Sequence, residues 1–172
     1  TGMWCQYCPR GIALMENLAH KYGDDFIGIG IHTGRGYEPL NCEDYAWKAA
    51  EYKSRPSLTM NRDLTLGSYI AQTEFETERS KGAYMDLEVS AMWDKEKNNI
   101  TVTPTVTFRL NREEAPYGFA YVLTEDGMSS HNWKQANFYN NRTQFYGISD
   151  ELDYFVNAPG TIYNLENNFV AI

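Results

Sequence analysis

The sequence opens with TGMWCQYCPRG, residues 1–11, in which two residues separate Cys5 from Cys8 and Pro9 follows at once. Apolar residues then recur at spacings of three and four over residues 12–22, a pattern that predicts an amphipathic helix. Pro9 suits the first turn of such a helix, because the amide hydrogen it lacks has no intrahelical partner there. The stretch therefore predicts two neighbouring thiols at the start of a helix.

Three interpretations of this cysteine pair are open. In a redox pair, the spacing brings the sulfurs within disulfide reach, and the positive end of the helix dipole lowers the pKa of the first thiol. Cys5 is then the exposed nucleophile, Cys8 the buried resolving thiol, and Trp4 an apolar wall. An inert disulfide is the second interpretation, although so small a loop adds little stability. A metal site is the third, but the sequence has no second close pair of ligands. We expect no metal and no cofactor.

The rest of the first half alternates between helix and strand. Residues 26–31, FIGIGI, predict a buried central strand in which Gly28 and Gly30 leave one face bare for close packing. The other elements predicted before Gly82 are a helix from Asn41 to Tyr52, a strand at 57–60 that Pro56 introduces, and a helix at 68–80.

The hydrophobic period changes to two after Gly82, which places a domain boundary there. Residues 84–93 and 100–110 alternate between apolar and polar side chains on either side of the turn DKEKNN. With a third strand at 117–125, they predict an antiparallel meander that has one buried face and one solvated face. The segment from Ser129 is rich in Asn, Tyr and Phe and shows too little alternation to predict strands.

Two further residues with reactive side chains have structural interpretations. His32 ends the predicted central strand, where a histidine is usually hydrogen-bonded within the fold. Cys42 is expected to behave as a small, partly buried apolar residue.

Composition and charge exclude some classes of partner. The 172 residues carry a net charge of −8, of which residues 1–63 contribute −1 (7 basic, 8 acidic) and residues 64–172 contribute −7 (8 basic, 15 acidic). An acidic surface without a Lys/Arg cluster repels phosphates, so nucleic acid is not an expected partner. No stretch approaches the roughly twenty apolar residues that a membrane helix needs.

The order W-C-x-x-C-P, glycine-containing strand, helix and strand-initiating proline resembles the thioredoxin fold over residues 1–82. This resemblance implies that Pro56 is a cis-proline packed against the active disulfide, and that Trp4 and Arg55 border the substrate groove. The dipeptide between the cysteines, Gln6-Tyr7, lacks the histidine of strong oxidants. Related proteins have Thr, Val or Ile at the position of Arg55, whose guanidinium either lowers the pKa of Cys5 or points to solvent.

A narrower resemblance extends further along the chain. The motifs that carry it are TG-x-WC-x-x-CPRG, KYGDDFIGIGIH, P-S-x-x-x-N-R from Pro56, YVLTEDG at 121–127 and QANFY at 135–139. They resemble the twenty-eight-kilodalton outer-membrane-protein-related family, which comprises thioredoxin-like lipoproteins of Bacteroidetes. This resemblance implies an α/β thioredoxin-like domain at 1–82, without its first strand, and an antiparallel β-sandwich at 83–172 that continues past Ile172.

The function expected from these observations is thiol–disulfide exchange at Cys5 and Cys8 by an exported oxidoreductase-like protein. Its partners would be protein thiols or disulfides, or a redox partner protein, in the periplasm or at the outer membrane. Any membrane attachment would be through a lipid anchor outside this chain. The alternative is a non-enzymatic surface module that binds through its aromatic sandwich.

Overall fold

The computed structural model describes residues 1–34, 36–109 and 117–172. The helices are α1 (Pro9–Tyr22), α2 (Ala46–Ala50), α3 (Gln72–Ser80) and α4 (Asp150–Asn157). The strands are β1 (Thr59–Met60), β2 (Leu64–Thr65), β3 (Met85–Asp94), β4 (Asn99–Phe108), β5 (Thr124–Glu125), β6 (Lys134–Ala136), β7 (Thr161–Tyr163) and β8 (Val170–Ala171). Within the described ranges, every helix is too short or too polar to cross a bilayer.

The architecture is mixed α/β. The described strands form four two-stranded antiparallel sheets, β1–β2, β3–β4, β5–β8 and β6–β7. The chain divides into two compact units, one comprising Thr1–Thr73 with Tyr121–Ile172 and the other comprising Glu74–Ala120. These limits differ from the predicted domains 1–82 and 83–172, because the Asn- and Tyr-rich segment packs with the first unit. The thioredoxin-like fold stays a prediction.

The predicted second and third helices are shorter than the sequence indicates. A 3₁₀ turn at Glu43–Tyr45 precedes α2, and α3 begins four residues after the predicted start at Ser68. The strand predicted at 57–60 is confirmed only as β1.

Helix α1 forms where its amphipathic period predicts it. Pro9 is its first residue, and Gly23 ends it with a φ of 53°, a conformation that glycine adopts without strain. Its buried face contacts α4, and Ala13 joins a core of residues from the second half of the chain. The other buried members of this core are Tyr139, Leu152, Phe155, Val156, Ala158 and Ile162.

The FIGIGI segment is not the predicted buried central strand. Residues 26–31 form only an isolated parallel bridge, between Gly30 and Val170, and Ile27 is 85% exposed. The face that carries Gly28 and Gly30 packs closely, as the missing side chains predict. Its partner is the C-terminal segment. Gly30 N donates a 2.6 Å hydrogen bond to Phe169 O.

We predict that Gly28→Ala destabilises the protein. A Cβ at Gly28 would lie 2.6 Å from Cγ of Phe169, whose ring also contacts Phe26 edge-on. Overpacking of this kind costs about 1–3 kcal/mol. Gly67→Ala is the matched control, because a Cβ there has no atom within 4 Å. Urea unfolding of both variants tests the prediction, and equal midpoints would contradict it.

A polar contact joins the solvent side of α1 to α4. His20 Nδ1 lies 2.8 Å from Glu151 Oε1, and Asn17 Nδ2 donates to the other carboxylate oxygen at 2.9 Å. The hydrogen bond to Glu151 raises the pKa of His20 above its usual value. Burial would raise the pKa of Glu151, but hydrogen bonds from His20 and Asn17, among others, lower it overall.

This contact predicts a pH-dependent stability. Because the folded pKa of His20 exceeds the unfolded value of about 6.5, its contribution is complete below that pH and is lost as the pH rises through the folded pKa. Glu151 stays ionised at pH 5.5, since its pKa is lowered. We expect the wild type to exceed His20→Gln in unfolding free energy at pH 5.5, by less than about 1 kcal/mol for so exposed a pair, and to lose this excess by pH 8.5.

Urea titrations at both pH values measure the difference. His131→Gln removes another exposed histidine and should show no such convergence with the wild type. An excess that grows with pH would have the wrong sign and would contradict the assignment.

The second unit contains a long β-hairpin. Strands β3 and β4 pair from Met85–Phe108 to Asp94–Asn99, and one face carries the apolar side chains that the two-residue period predicts. The prediction that this face is buried is wrong, since Trp93 is 62% exposed and Val89 is 61% exposed. Within the described residues the two strands pair only with each other.

The third strand of the predicted meander is not formed over Tyr117–Leu123. The strand residues Thr124–Glu125 pair instead with β8, in the first unit. Leu110 and the turn predicted at 111–116 lie outside the described residues.

Candidate active site

Cys5 and Cys8 form a disulfide immediately before α1. Their Cα atoms are 5.4 Å apart, and Cys8 N donates a 3.1 Å hydrogen bond to Cys5 O. The Cys8 carbonyl then accepts from Gly11 N and Ile12 N, which makes Cys8 the residue that caps the helix. The disulfide therefore closes a single turn of the chain directly before the first residue of α1.

Both sulfur-bearing residues are buried, but to different extents. Cys8 is 0% exposed and Cys5 is 4% exposed, so the expectation of an exposed Cys5 is wrong in this structure. The cause is the chain around β6, which covers the cysteine loop. Ala136 N donates to Met3 O at 2.9 Å, Phe138 N donates to Gln6 O at 2.8 Å, and Gln135 Nε2 donates to Cys5 O at 3.1 Å.

A cleft of about 720 Å³ reaches Cys5, and we call it the disulfide cleft. One wall is the stretch Trp4–Tyr7, and the other comes from α2 with Tyr52, Lys53 and Arg55. The remaining lining residues are Thr33, Gly34, Asn41 and Ala136. Cys8 does not line the cleft. A ligand in the cleft therefore contacts only one of the two cysteines, Cys5.

Trp4 is the wall that the sequence predicts. Its indole nitrogen donates a 2.9 Å hydrogen bond to the backbone oxygen of Thr33, another lining residue, and Trp4 remains 40% exposed. Tyr7 lies at the other end of the cysteine loop, with its ring 4.6 Å from that of Phe138.

Arg55 is held by backbone carbonyls rather than pointing freely to solvent. Nη2 donates to Ala49 O at 3.0 Å, and Nη1 donates to Tyr52 O at 2.9 Å and to Ser54 O at 3.0 Å. These bonds satisfy carbonyl groups at and after the end of α2. The guanidinium is thereby fixed in the lining that also contains Cys5.

Pro56 packs against the start of α1. The Arg55–Pro56 peptide bond is cis, as predicted. Pro56 Cβ is 3.3 Å from the place that a Cβ on Gly11 would take, so the missing side chain of Gly11 lets the two segments approach. Pro56 is not among the residues that line the disulfide cleft, and its role in the site stays a prediction.

A buried contact between His32 and Glu38 supports the cysteine loop, and sequence reasoning missed Glu38. His32 Nδ1 lies 3.1 Å from Glu38 Oε1, and Glu38 Oε2 accepts a 2.6 Å hydrogen bond from Met3 N. His32 is buried and hydrogen-bonded, as its structural interpretation predicts. No periodic signal marked Glu38. Cys42, a free cysteine beside this pair, is buried as expected.

We predict that Glu38→Ala destabilises the protein by about 1–3 kcal/mol, because it leaves the buried Met3 N–H and His32 without their acceptor. Urea unfolding measures the loss, and hydrogen exchange should show that the Met3 amide loses protection. Glu43→Ala, at an exposed acid in the same region, should change the unfolding free energy by less than about 0.5 kcal/mol. An unchanged Met3 amide would contradict the assigned role.

The described residues contain no group of three or more His, Cys, Asp or Glu side chains arranged to hold a metal ion. Comparison of the chain with protein-family models, with curated proteins and with solved structures gives no match.

Proposed function

We propose that the protein is a thiol–disulfide oxidoreductase-like protein in which Cys5 and Cys8 alternate between dithiol and disulfide. The observation that carries the proposal is the asymmetry of the pair: Cys5 lines the disulfide cleft, whereas Cys8 is fully buried and does not. Exchange requires this asymmetry, because a partner must reach the first sulfur while the second waits to resolve the mixed disulfide.

The proposed chemistry transfers two electrons. In the reducing direction, the Cys5 thiolate attacks one sulfur of a partner disulfide, forms a mixed disulfide and releases the first partner thiolate. The Cys8 thiolate then attacks the Cys5 sulfur, which re-forms the internal disulfide and releases the second partner thiolate. An external dithiol restores the pair. Oxidation of a partner dithiol runs through the same steps in reverse.

The neighbouring residues support a site of this kind. Trp4 forms an aromatic wall beside Cys5, and the fixed Arg55 guanidinium contributes a positive charge to the same lining. Pro56 packs against the first turn of the helix that Cys8 caps. Partners would be protein thiols or disulfides, or a dedicated redox protein.

The fold and the location belong to the proposal as well. A thioredoxin-like domain followed by a β-sandwich, exported to the periplasm or the outer membrane and lipid-anchored, is what the sequence motifs imply by resemblance. The disulfide at the start of an amphipathic helix is consistent with the first of these elements.

A second candidate is a non-enzymatic binding module, and the β3–β4 hairpin favours it. Four side chains of its apolar face are more than half exposed, namely Leu87, Val89, Trp93 and Ile100. A large exposed apolar patch is typical of an interaction surface. In such a module the buried disulfide would be inert, and the contacts would be made by the second unit.

Insulin reduction with dithiothreitol as the electron source separates the two candidates. We expect the wild type to accelerate insulin precipitation and Cys5→Ser to abolish the acceleration. Pre-reduced Cys8→Ser, mixed with insulin after the dithiothreitol has been removed, should accumulate a mixed disulfide, visible on non-reducing gels, because the resolving thiol is missing. Cys42→Ser is the matched control, since this cysteine is outside the pair, and it should behave as the wild type does.

Two outcomes would count against the proposal. Equal trapping by Cys5→Ser and Cys8→Ser would show that the two thiols do not divide their roles. No turnover and no trapping, with a pair that resists mild reductant, would favour the binding module.

A further inference from the structure

We infer that the disulfide cleft selects anionic substrates, namely thiols or disulfides that carry a carboxylate close to the reacting sulfur. This inference rests on the proposed thiol–disulfide exchange and adds the chemical class of the substrate. It starts from the charged side chains that line this cleft, which are cationic although the chain as a whole has a net charge of −8.

The charged side chains among the described residues that line the cleft are Lys53 and Arg55, and the lining includes no carboxylate. The nearby acids, among them Glu43, Asp44, Glu51 and Glu38, lie outside the lining. Glu51 is paired with Lys48, at 2.6 Å between Nζ and Oε2. Glu38 is buried, and its carboxylate is occupied by Met3 N and His32. The charged side chains of the described lining itself are therefore both positive.

Arg55 makes this charge permanent and fixed in place. Its hydrogen bonds to the described residues end on neutral oxygen atoms, the three carbonyls described above and the Thr33 hydroxyl at 3.5 Å. Neutral acceptors orient a guanidinium without cancelling its charge, so an anion in the cleft would meet an uncompensated cation. Lys53, which is exposed, adds a second cation to the same wall.

The remaining lining fits a small anionic group attached to a flexible body. Trp4, Tyr7 and Tyr52 offer aromatic surface, while Thr33 and Asn41 offer neutral hydrogen-bonding groups. A volume of about 720 Å³ is in the range of small-ligand sites and suits either a low-molecular-weight disulfide or a few residues of a peptide. The chemistry common to both sources is a carboxylate next to a disulfide.

The test measures how fast the reduced protein is oxidised by disulfides of different charge. The probes are glutathione disulfide (anionic), bis(2-hydroxyethyl) disulfide (neutral) and cystamine (cationic), at 0.15 M salt, where charges more than about 8 Å apart are largely screened. Loss of protein thiols is followed by timed alkylation. Each rate is divided by the rate of dithiothreitol with the same probe, which removes differences in intrinsic reactivity.

We expect the corrected rates to fall in the order anionic, neutral, cationic. Lys53→Gln should reduce the ratio of the anionic to the cationic rate about three- to tenfold, because removal of a unit charge from the lining changes the two rates in opposite directions. Lys95→Gln is the control, because it changes the net charge equally at an exposed lysine outside the cleft lining, and it should leave the ratio unchanged. Arg55 is not substituted, since its bonds also support α2.

A second arm identifies the source of the carboxylate. Two peptides that each carry one mixed disulfide, flanked by Asp in one and by Lys in the other, replace the small probes. Preference for the Asp peptide points to a protein partner, whereas preference confined to glutathione disulfide points to a small molecule.

The possible failures are distinguishable. Equal corrected rates for all probes, with normal oxidation of the protein, would overturn the anionic selectivity and leave the proposed exchange standing. An unchanged ratio of the anionic to the cationic rate in Lys53→Gln would also overturn the anionic selectivity and leave the proposed exchange standing. No reaction with any probe would overturn the proposed function itself.

Discussion

The structure of the first unit depends on the pairing between the chain around β6 and the cysteine loop. Backbone hydrogen bonds from Ala136 to Met3 and from Phe138 to Gln6 join segments that are more than 130 residues apart in the sequence. Closing so long a loop costs conformational entropy, which the burial of apolar surface around α1 and α4 offsets. The same pairing buries the disulfide, supplies Ala136 to its cleft and brings the core residues of α4 against α1.

The Asn-rich segment that follows β6 achieves this order through its amides. Asn137 is buried, and its Nδ2 donates to Phe155 O at 2.7 Å and to Pro159 O at 3.1 Å, while its Oδ1 accepts from Tyr139 N at 3.0 Å. Asn140 Nδ2 donates to Ala158 O at 2.8 Å. Carbonyls near the end of a helix lack intrahelical partners, and here asparagine side chains supply them. The composition of this segment suggests an irregular loop, but its asparagine side chains hold it in place by hydrogen bonds.

Sequence patterns predicted the elements that are determined by residues close together in the chain. The start of α1 at Pro9, its end at Gly23 and the β3–β4 pairing follow from capping, glycine and a two-residue period, and each is seen. Helix α4 had such signals as well, since Ser149 caps it and apolar residues recur at 152, 155 and 156, but the Asn-rich surroundings obscured them. Glu38 and the cover over Cys5 could not be predicted, because both depend on contacts distant in sequence, for which one sequence gives no pattern. The FIGIGI segment shows the same limit: its apolar character predicted burial, whereas packing by Phe169 selected the glycine face.

The cover around β6 also determines what chemistry the cysteine pair is capable of. A fully buried thiol in apolar surroundings has a raised pKa and remains protonated, whereas a thiol that faces a cleft with cationic side chains is favoured as the thiolate. In the proposed exchange, Cys5 is the residue that lines the cleft together with Lys53 and Arg55, whereas Cys8 is fully buried. When a partner has bonded to Cys5, Cys8 lies one helical turn away and needs no solvent to attack. The pairing around β6 thus leaves one residue of the disulfide in the cleft lining and buries the other completely, which is the asymmetry that the proposed exchange uses.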